Sequence, residues 1–184
     1  MLRRHMLSPF RKPLVVFTPK FLLHHGPCAS PLRECGVDKS FRVVLEEDKW
    51  TRPDAPRPER VLLCSGKLYY HLAESVQRRG LSDKVAIVRL EQLAPFPFAA
   101  LERVLRTYAA RPGRDDGAME VVWVQEEPKN RGAWTWVSSR IESVLRRVRS
   151  SLPPPPSSTA TAAAASGVVG SDVAYVGRPP SASP

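Results

Sequence analysis

The stretch "RVLLCSGKLYYHLAESVQRRG", residues 60–80, decides how the chain folds. Its first part is an apolar run, Val61 to Cys64, that ends in Ser65 and Gly66. Its second part repeats Leu68, Leu72 and Val76 at intervals of four and stops at Gly80. A short apolar run followed by a helical period and a closing glycine predicts a strand, a tight turn and an amphipathic helix. Ser65, Gly66 and Lys67 fall on that turn, where N–H groups at a helix start can hold a phosphate or carboxylate. The same residues also have a plainer use, with Gly66 permitting the turn and Ser65 capping the helix. The stretch is not a Walker loop, because the first glycine and its spacing are absent.

The unit then repeats. "KVAIVRL", residues 84–90, predicts a second strand, broken at "LAPFPF", where Pro95 and Pro97 force a turn. Phe98, Leu101, Val104, Leu105 and Tyr108 mark one face of the helix that follows. "RPGRDDG" has turn chemistry. "EVVWVQE", residues 120–126, is a third strand, and Trp134, Val137, Ile141, Val144, Leu145 and Val148 line a third helix. "VAYV" is a last short strand. Strands alternating with helices in this way predict an α/β fold, a mostly parallel sheet covered by helices and joined by right-handed crossovers.

Upstream, "PLVVFTP", residues 13–19, reads as a buried strand closed by prolines. The polar stretch through "EEDKWTRPDAPRPER" reads as a linker, since Pro53, Pro56 and Pro58 break any helix. Residues 150–171, rich in Pro, Ser and Ala, are too poor in large apolar groups to pack, and are expected to be mobile.

At 184 residues with 42% hydrophobic content, the chain can bury one ordinary core. Its net charge of +10 invites a nucleic-acid reading. The basic residues are scattered, however, and no nucleic-acid-binding motif accompanies them, so no nucleic-acid partner is expected. Three cysteines, Cys28, Cys35 and Cys64, cannot all pair within one chain, and a reducing compartment suits them better. His24, His25, Cys28 and Cys35 lack a zinc knuckle and are expected to be loop residues, not metal ligands. No apolar run is long enough to span a bilayer.

"WVQEEPKNRGAW", residues 123–134, carries an unusual pair of glutamates between a strand and a helix start. Neighbours on a strand point to opposite faces, so Glu126 and Glu127 are a poor acid/base pair. One of them is expected to be tied to N–H groups at the helix start, where the dipole favours a carboxylate, or to a buried basic residue. The other is expected to face an interface. No GxGxxG follows a strand and no histidine has an identifiable nucleophile or acid partner, so no catalytic residue is assigned.

"RKPLVVFTPK", "VLLCSGKLYYHL", "VAIVRLEQLAPFP", "VQEEPKNRGAWTWVSSRI" and "VGRPPSASP" resemble, in order and approximate spacing, successive C-terminal segments of the 2-oxoglutarate dehydrogenase E1 component. The 2-oxoadipate dehydrogenase E1 is closely similar and shares these motifs. The resemblance implies a transketolase C-terminal-domain-like fold. It divides the chain into the end of a pyrimidine-binding domain (1–25), a linker (26–59), the C-terminal α/β domain (60–149), a low-complexity insertion (150–171) and a truncated C-terminal segment (172–184). It implies that Gln125, Glu126, Glu127, Pro128, Asn130, Gly132 and Trp134 organise a strand end and contacts to neighbouring domains or the other subunit.

The family's cofactors are thiamine diphosphate and Mg²⁺, held through a GDG motif, a downstream asparagine and an activating glutamate. This sequence carries none of these; "DDG" at residues 115–117 follows no strand. The expected role is therefore the scaffold and subunit-interface part of an enzyme whose reactive centre lies upstream. The implied partners are a second E1 subunit and the lipoyl-bearing E2, and the implied location is the mitochondrial matrix. The Arg-rich N-terminus matches interior family sequence, so it is not credited as a transit peptide and Met1 is expected to be internal. The alternative is a stand-alone α/β module that uses Ser65 to Lys67 to bind an acidic metabolite or acyl-CoA.

Overall fold

A computed structural model describes residues 1–111, 118–152 and 169–182, apart from the Ser171 side chain. The chain forms two units, Met1–Arg42 and a second that begins at Val43.

In the first unit a short helix, α1 (Leu2–Met6), precedes 3₁₀ turns at Lys20–His24, Gly26–Cys28 and Leu32–Cys35. Arg3 Nη2 donates to the Gly36 carbonyl at 3.0 Å, and the Arg4 guanidinium lies 5.0 Å from the Phe41 ring centre. The expected buried strand at residues 13–19 is absent. Leu14, Val15, Val16 and Phe17 are exposed, Phe17 at 95%. The physical reason is the lack of a partner: β propensity is realised only against a neighbouring strand and a buried surface, and residues 1–42 contain no strand.

The second unit is an α/β sheet protein. Its elements are β1 (Val44–Glu46), α2 (Asp48–Thr51), β2 (Arg60–Cys64), α3 (Leu68–Arg78), β3 (Val85–Leu90), α4 (Phe98–Ala109), β4 (Met119–Pro128), α5 (Trp134–Ser151) and β5 (Val169–Arg178). The sheet order is β1-β3-β2-β4-β5, with every pairing parallel except β1 against β3. Part of the expected linker is thus structured. β1 pairs Val44 with Leu90, and Trp50 of α2 is only 2% exposed, against Tyr108 at a ring separation of 6.2 Å. The prolines break helices, but they follow this edge strand and its anchoring tryptophan.

The helices divide between the two faces. Leu68, Leu72 and Val76 of α3 pack with Leu62, Cys64, Val85 and Ile87 on one side. On the other, α4 and α5 bring Leu101, Leu105, Tyr108, Ile141 and Leu145 against Val61, Leu63, Val88, Val121 and Trp123. Strands covered on both faces must be apolar throughout, which is why Val85 to Val88 show no polar alternation. Gly80 ends the α3 region at φ +65°, its N–H bonded to the Gln77 carbonyl at 3.0 Å. The boundaries of the expected insertion also shift: α5 continues to Ser151 and β5 begins at Val169, extending "VAYV" to ten residues. The mobility expected of residues 150–171 falls largely on 153–168, and the loop expected at "RPGRDDG" on 112–117; both lie outside the described residues. Arg149 Nη1 donates to the Gly170 carbonyl at 2.8 Å, tying the end of α5 to the start of β5.

Candidate functional site

The crossover from β2 runs through α3 to β3 on one side, whereas that from β4 runs through α5 to β5 on the other. Between the carboxyl ends of β2 and β4 the winding direction reverses, and in open α/β sheets ligand crevices form at such points. The two sequence motifs singled out above meet there. Gly66 sits at φ +65° with open space where a Cβ would be, so its use is conformational. Lys67 Nζ lies 3.1 Å from Glu126 Oε2, both side chains being a little over two-fifths exposed. Ser65 makes no capping bond to α3, whose N-cap is Lys67 with αR backbone. The capping expected of Ser65 is therefore absent, and the lysine expected at an anion is paired with a glutamate.

The other motif is organised by its glutamine. Gln125 is 6% exposed, the one buried polar or charged residue among the described residues. Its Oε1 accepts from Trp123 Nε1 at 2.9 Å and from the Trp134 main-chain N–H at 3.0 Å. Its two amide hydrogens serve the carbonyls of Arg131 at 2.8 Å, Pro128 at 3.1 Å and Glu127 at 3.2 Å. A glutamate was expected to accept at the start of α5 or to meet a buried basic residue, and the structure corrects this: the acceptor is the Gln125 amide, and the base that Glu126 meets, Lys67, is not buried. Both glutamate side chains are exposed. An amide suits the place because it both accepts and donates, whereas a carboxylate would face three carbonyl oxygens with no hydrogen to offer.

The remaining motif residues hold the chain after β5. Asn130 Nδ2 donates to the Ser181 carbonyl at 2.9 Å, and the Ser181 N–H donates to Asn130 Oδ1 at 3.2 Å. The Lys129 N–H bonds the Arg178 carbonyl at 3.0 Å. Tyr175 Oη lies 3.2 Å from the Glu127 carbonyl and 3.1 Å from that of Arg178, and its ring meets Trp134 at 5.0 Å. Gly132, at φ +65°, is strained and crowded for any side chain: a Cβ would lie 3.0 Å from Glu127 Cβ and 3.1 Å from Gln125 Nε2. Tyr175 and Ser181 were not foreseen as partners. The apolar run around Tyr175 was the only signal, because pairs some fifty residues apart leave no local pattern.

Beside the turn, Arg89 lies 4.2 Å from the Tyr69 ring centre and 3.6 Å from a Glu91 carboxylate oxygen. Cys64, its register partner on β2, is fully buried. Burial pushes that thiol up to about 12, so it is no nucleophile at neutral pH. Among the described residues no three His, Cys, Asp or Glu side chains gather to hold a metal, and no helix is long and apolar enough to cross a membrane.

Strand order, helices on both faces and the reversal of winding between β2 and β4 define a doubly wound α/β domain. A family model described as the 2-oxoglutarate dehydrogenase C-terminal matches residues 29–184. The chain belongs to that family. A protein named "2-oxoglutarate dehydrogenase-like, mitochondrial" from Xenopus laevis is 36% identical over 183 residues, covering 100% of this chain and 15% of that protein. The 2-oxoglutarate dehydrogenase E1 component of Brucella anthropi is 37% identical over 190 residues, covering 100% of this chain and 16% of its own length. A "Probable 2-oxoadipate dehydrogenase complex component E1 homolog" from Caenorhabditis elegans is 40% identical over 145 residues, covering 79% of this chain and 15% of that protein. This chain therefore corresponds to between 15% and 16% of the length of these relatives.

Proposed function

We propose that the chain acts as the C-terminal scaffold and subunit-interface region of a 2-oxoglutarate dehydrogenase E1 component, within oxidative decarboxylation of a 2-oxo acid in the mitochondrial matrix. The observation that carries this reading is the family match across residues 29–184. Relatives named as mitochondrial support the location. The partners on this reading are a second E1 subunit and a lipoyl-bearing E2, and the fold is that of a transketolase C-terminal domain.

Thiamine diphosphate supplies the carbanion-stabilising centre in this family. The residues described here do not fit it or its Mg²⁺. Lys67, at the switch point, is engaged by Glu126, and among the described residues no acidic cluster gathers to hold a metal. No chemical step is assigned to this chain. What its residues supply is position: Gln125 fixes where β4 ends and α5 begins, Asn130 fixes the chain leaving β5, and Glu127 is left on the surface. The same Lys67 pairing counts against the stand-alone acidic-metabolite module, because an anion at Ser65 to Lys67 would have to displace Glu126.

The test is a graft. Residues 43–184 replace the matching segment of the Xenopus laevis protein, and oligomeric state and 2-oxoglutarate decarboxylation are measured. A dimeric, active chimera is the expected result, with no turnover by residues 1–184 alone. A folded but monomeric chimera, or turnover by the isolated chain, would overturn the assignment.

A further inference from the structure

Helices α4 and α5 pack side by side on one face of the sheet, and the surface they turn outward is rich in arginine. They carry Arg103, Arg106, Arg140, Arg146, Arg147 and Arg149 against Glu102 and Glu142, six cations to two anions. Along α5, Trp136, Arg140, Ser143 and Arg147 fall at steps of four, three and four, which is one stripe of a helix. Trp136 is 43% exposed, with the Arg140 guanidinium 3.3 Å from its ring centre and its Nε1 donating to the Leu93 carbonyl at 2.8 Å. Towards the other end of the stripe, Arg147 Nη1 lies 3.7 Å from Glu102 Oε2, while Arg106 holds Glu102 Oε1. The side chains of Arg103 and Arg146 are exposed and have no carboxylate partner among the described residues.

We propose that this ridge is a docking surface for an acidic protein segment, with carboxylates taken by Arg103, Arg140, Arg146 and Arg147 and an apolar residue set against Trp136. Guanidinium forks bind carboxylates bidentately, and tryptophan with arginine is the composition of interface hot spots. A second copy of the chain is a poor occupant, because two surfaces of the same sign on chains of net charge +10 repel. A nucleic acid is also disfavoured. Arg140 covers one face of the Trp136 ring, which leaves no open aromatic platform of the kind that successive bases stack on. The inference needs none of the premises of the enzymatic reading.

The test uses residues 1–184 and a fluorescein-labelled peptide of glutamate, aspartate and leucine, read by fluorescence anisotropy. Arg140→Glu with Arg147→Glu should weaken binding by about tenfold or more, and raising salt should weaken the wild type in the same sense. Arg78→Glu with Arg79→Glu, beyond the opposite face of the sheet, should leave binding within about twofold of wild type. Arg140→Gln with Arg147→Gln, which keeps length and polarity, tests the same surface if the reversal pair fails to fold. Equal losses from both pairs would overturn the proposal by showing diffuse charge attraction. Tighter binding of a DNA duplex of equal charge, lost with the same α5 variants, would overturn it in favour of a phosphate surface.

Discussion

The Oε1 atom of Gln125 and the main-chain nitrogen of Trp134 lie 3.0 Å apart, so a strand side chain fixes the first turn of the helix that follows it. The same oxygen also takes the indole N–H of Trp123, which is fully buried. Gln125→Ala would strand both donors and three carbonyls, and should cost about 2 to 4 kcal/mol in denaturant unfolding. Gly132→Ala, strained by φ and crowded by Glu127 and Gln125, should cost about 1 to 3 kcal/mol. Wild-type stability in both variants would remove the hub from any account of this motif.

The glutamates themselves should matter little to folding. Glu126 and Lys67 form a half-exposed pair, and Glu127 contributes its main-chain oxygen to the network through Gln125 and Tyr175. Glu126→Ala, Lys67→Ala and Glu127→Ala should each fall within about 0.5 kcal/mol of wild type in urea unfolding. A larger loss for Glu127→Ala would mean that its side chain is bonded in solution.

Cysteine chemistry separates the two units. Cys35 is exposed, Cys28 is half-buried and Cys64 is enclosed. Iodoacetamide should alkylate Cys35 fastest and Cys64 only once the domain unfolds, as read by mass spectrometry of intact chain. The pH dependence has a definite sign. Burial raises the Cys64 thiol from 9.0 to about 12, so the folded chain keeps a proton that the unfolded chain releases in that interval. The contribution is complete below pH 9.0 and is lost as pH climbs toward 12. Cys64→Ala should flatten this alkaline decline relative to wild type.

The edge strand belongs to the domain. Trp50→Ala should cost about 3 to 5 kcal/mol, because a side chain 2% exposed against Tyr108 would leave a large cavity. A chain of residues 43–184 should melt well above one of residues 60–184. Equal melting temperatures would return residues 43–59 to the status of a linker.

How much of this could be read from the residues differs by element. β2 to α5 were legible because each carries its own period: Leu68, Leu72 and Val76 on α3, and a continuous apolar run in β3. β1 was missed because three residues are too few to show alternation, and the nearby prolines gave the stronger local signal. "PLVVFTP" misled in the opposite direction, since its composition suits a strand that residues 1–42 do not pair. In the candidate site, the seven motif residues were identified together, but the roles within them were assigned by charge. The glutamates drew attention, whereas the neutral Gln125 does the bonding, and that depends on three-dimensional reach to Trp123, Arg131 and Trp134.

The bond from Arg149 to the Gly170 carbonyl has a consequence for how such chains vary in length. It closes the span between α5 and β5 at its base, so the ends are held by folded structure whatever lies between them. For a tether anchored at both ends the entropy of closure grows only with the logarithm of contour length, about 0.6 kcal/mol for each doubling. A change in chain length between Leu152 and Val169 should therefore leave β5 in register with β4 so long as Arg149 still reaches the Gly170 carbonyl.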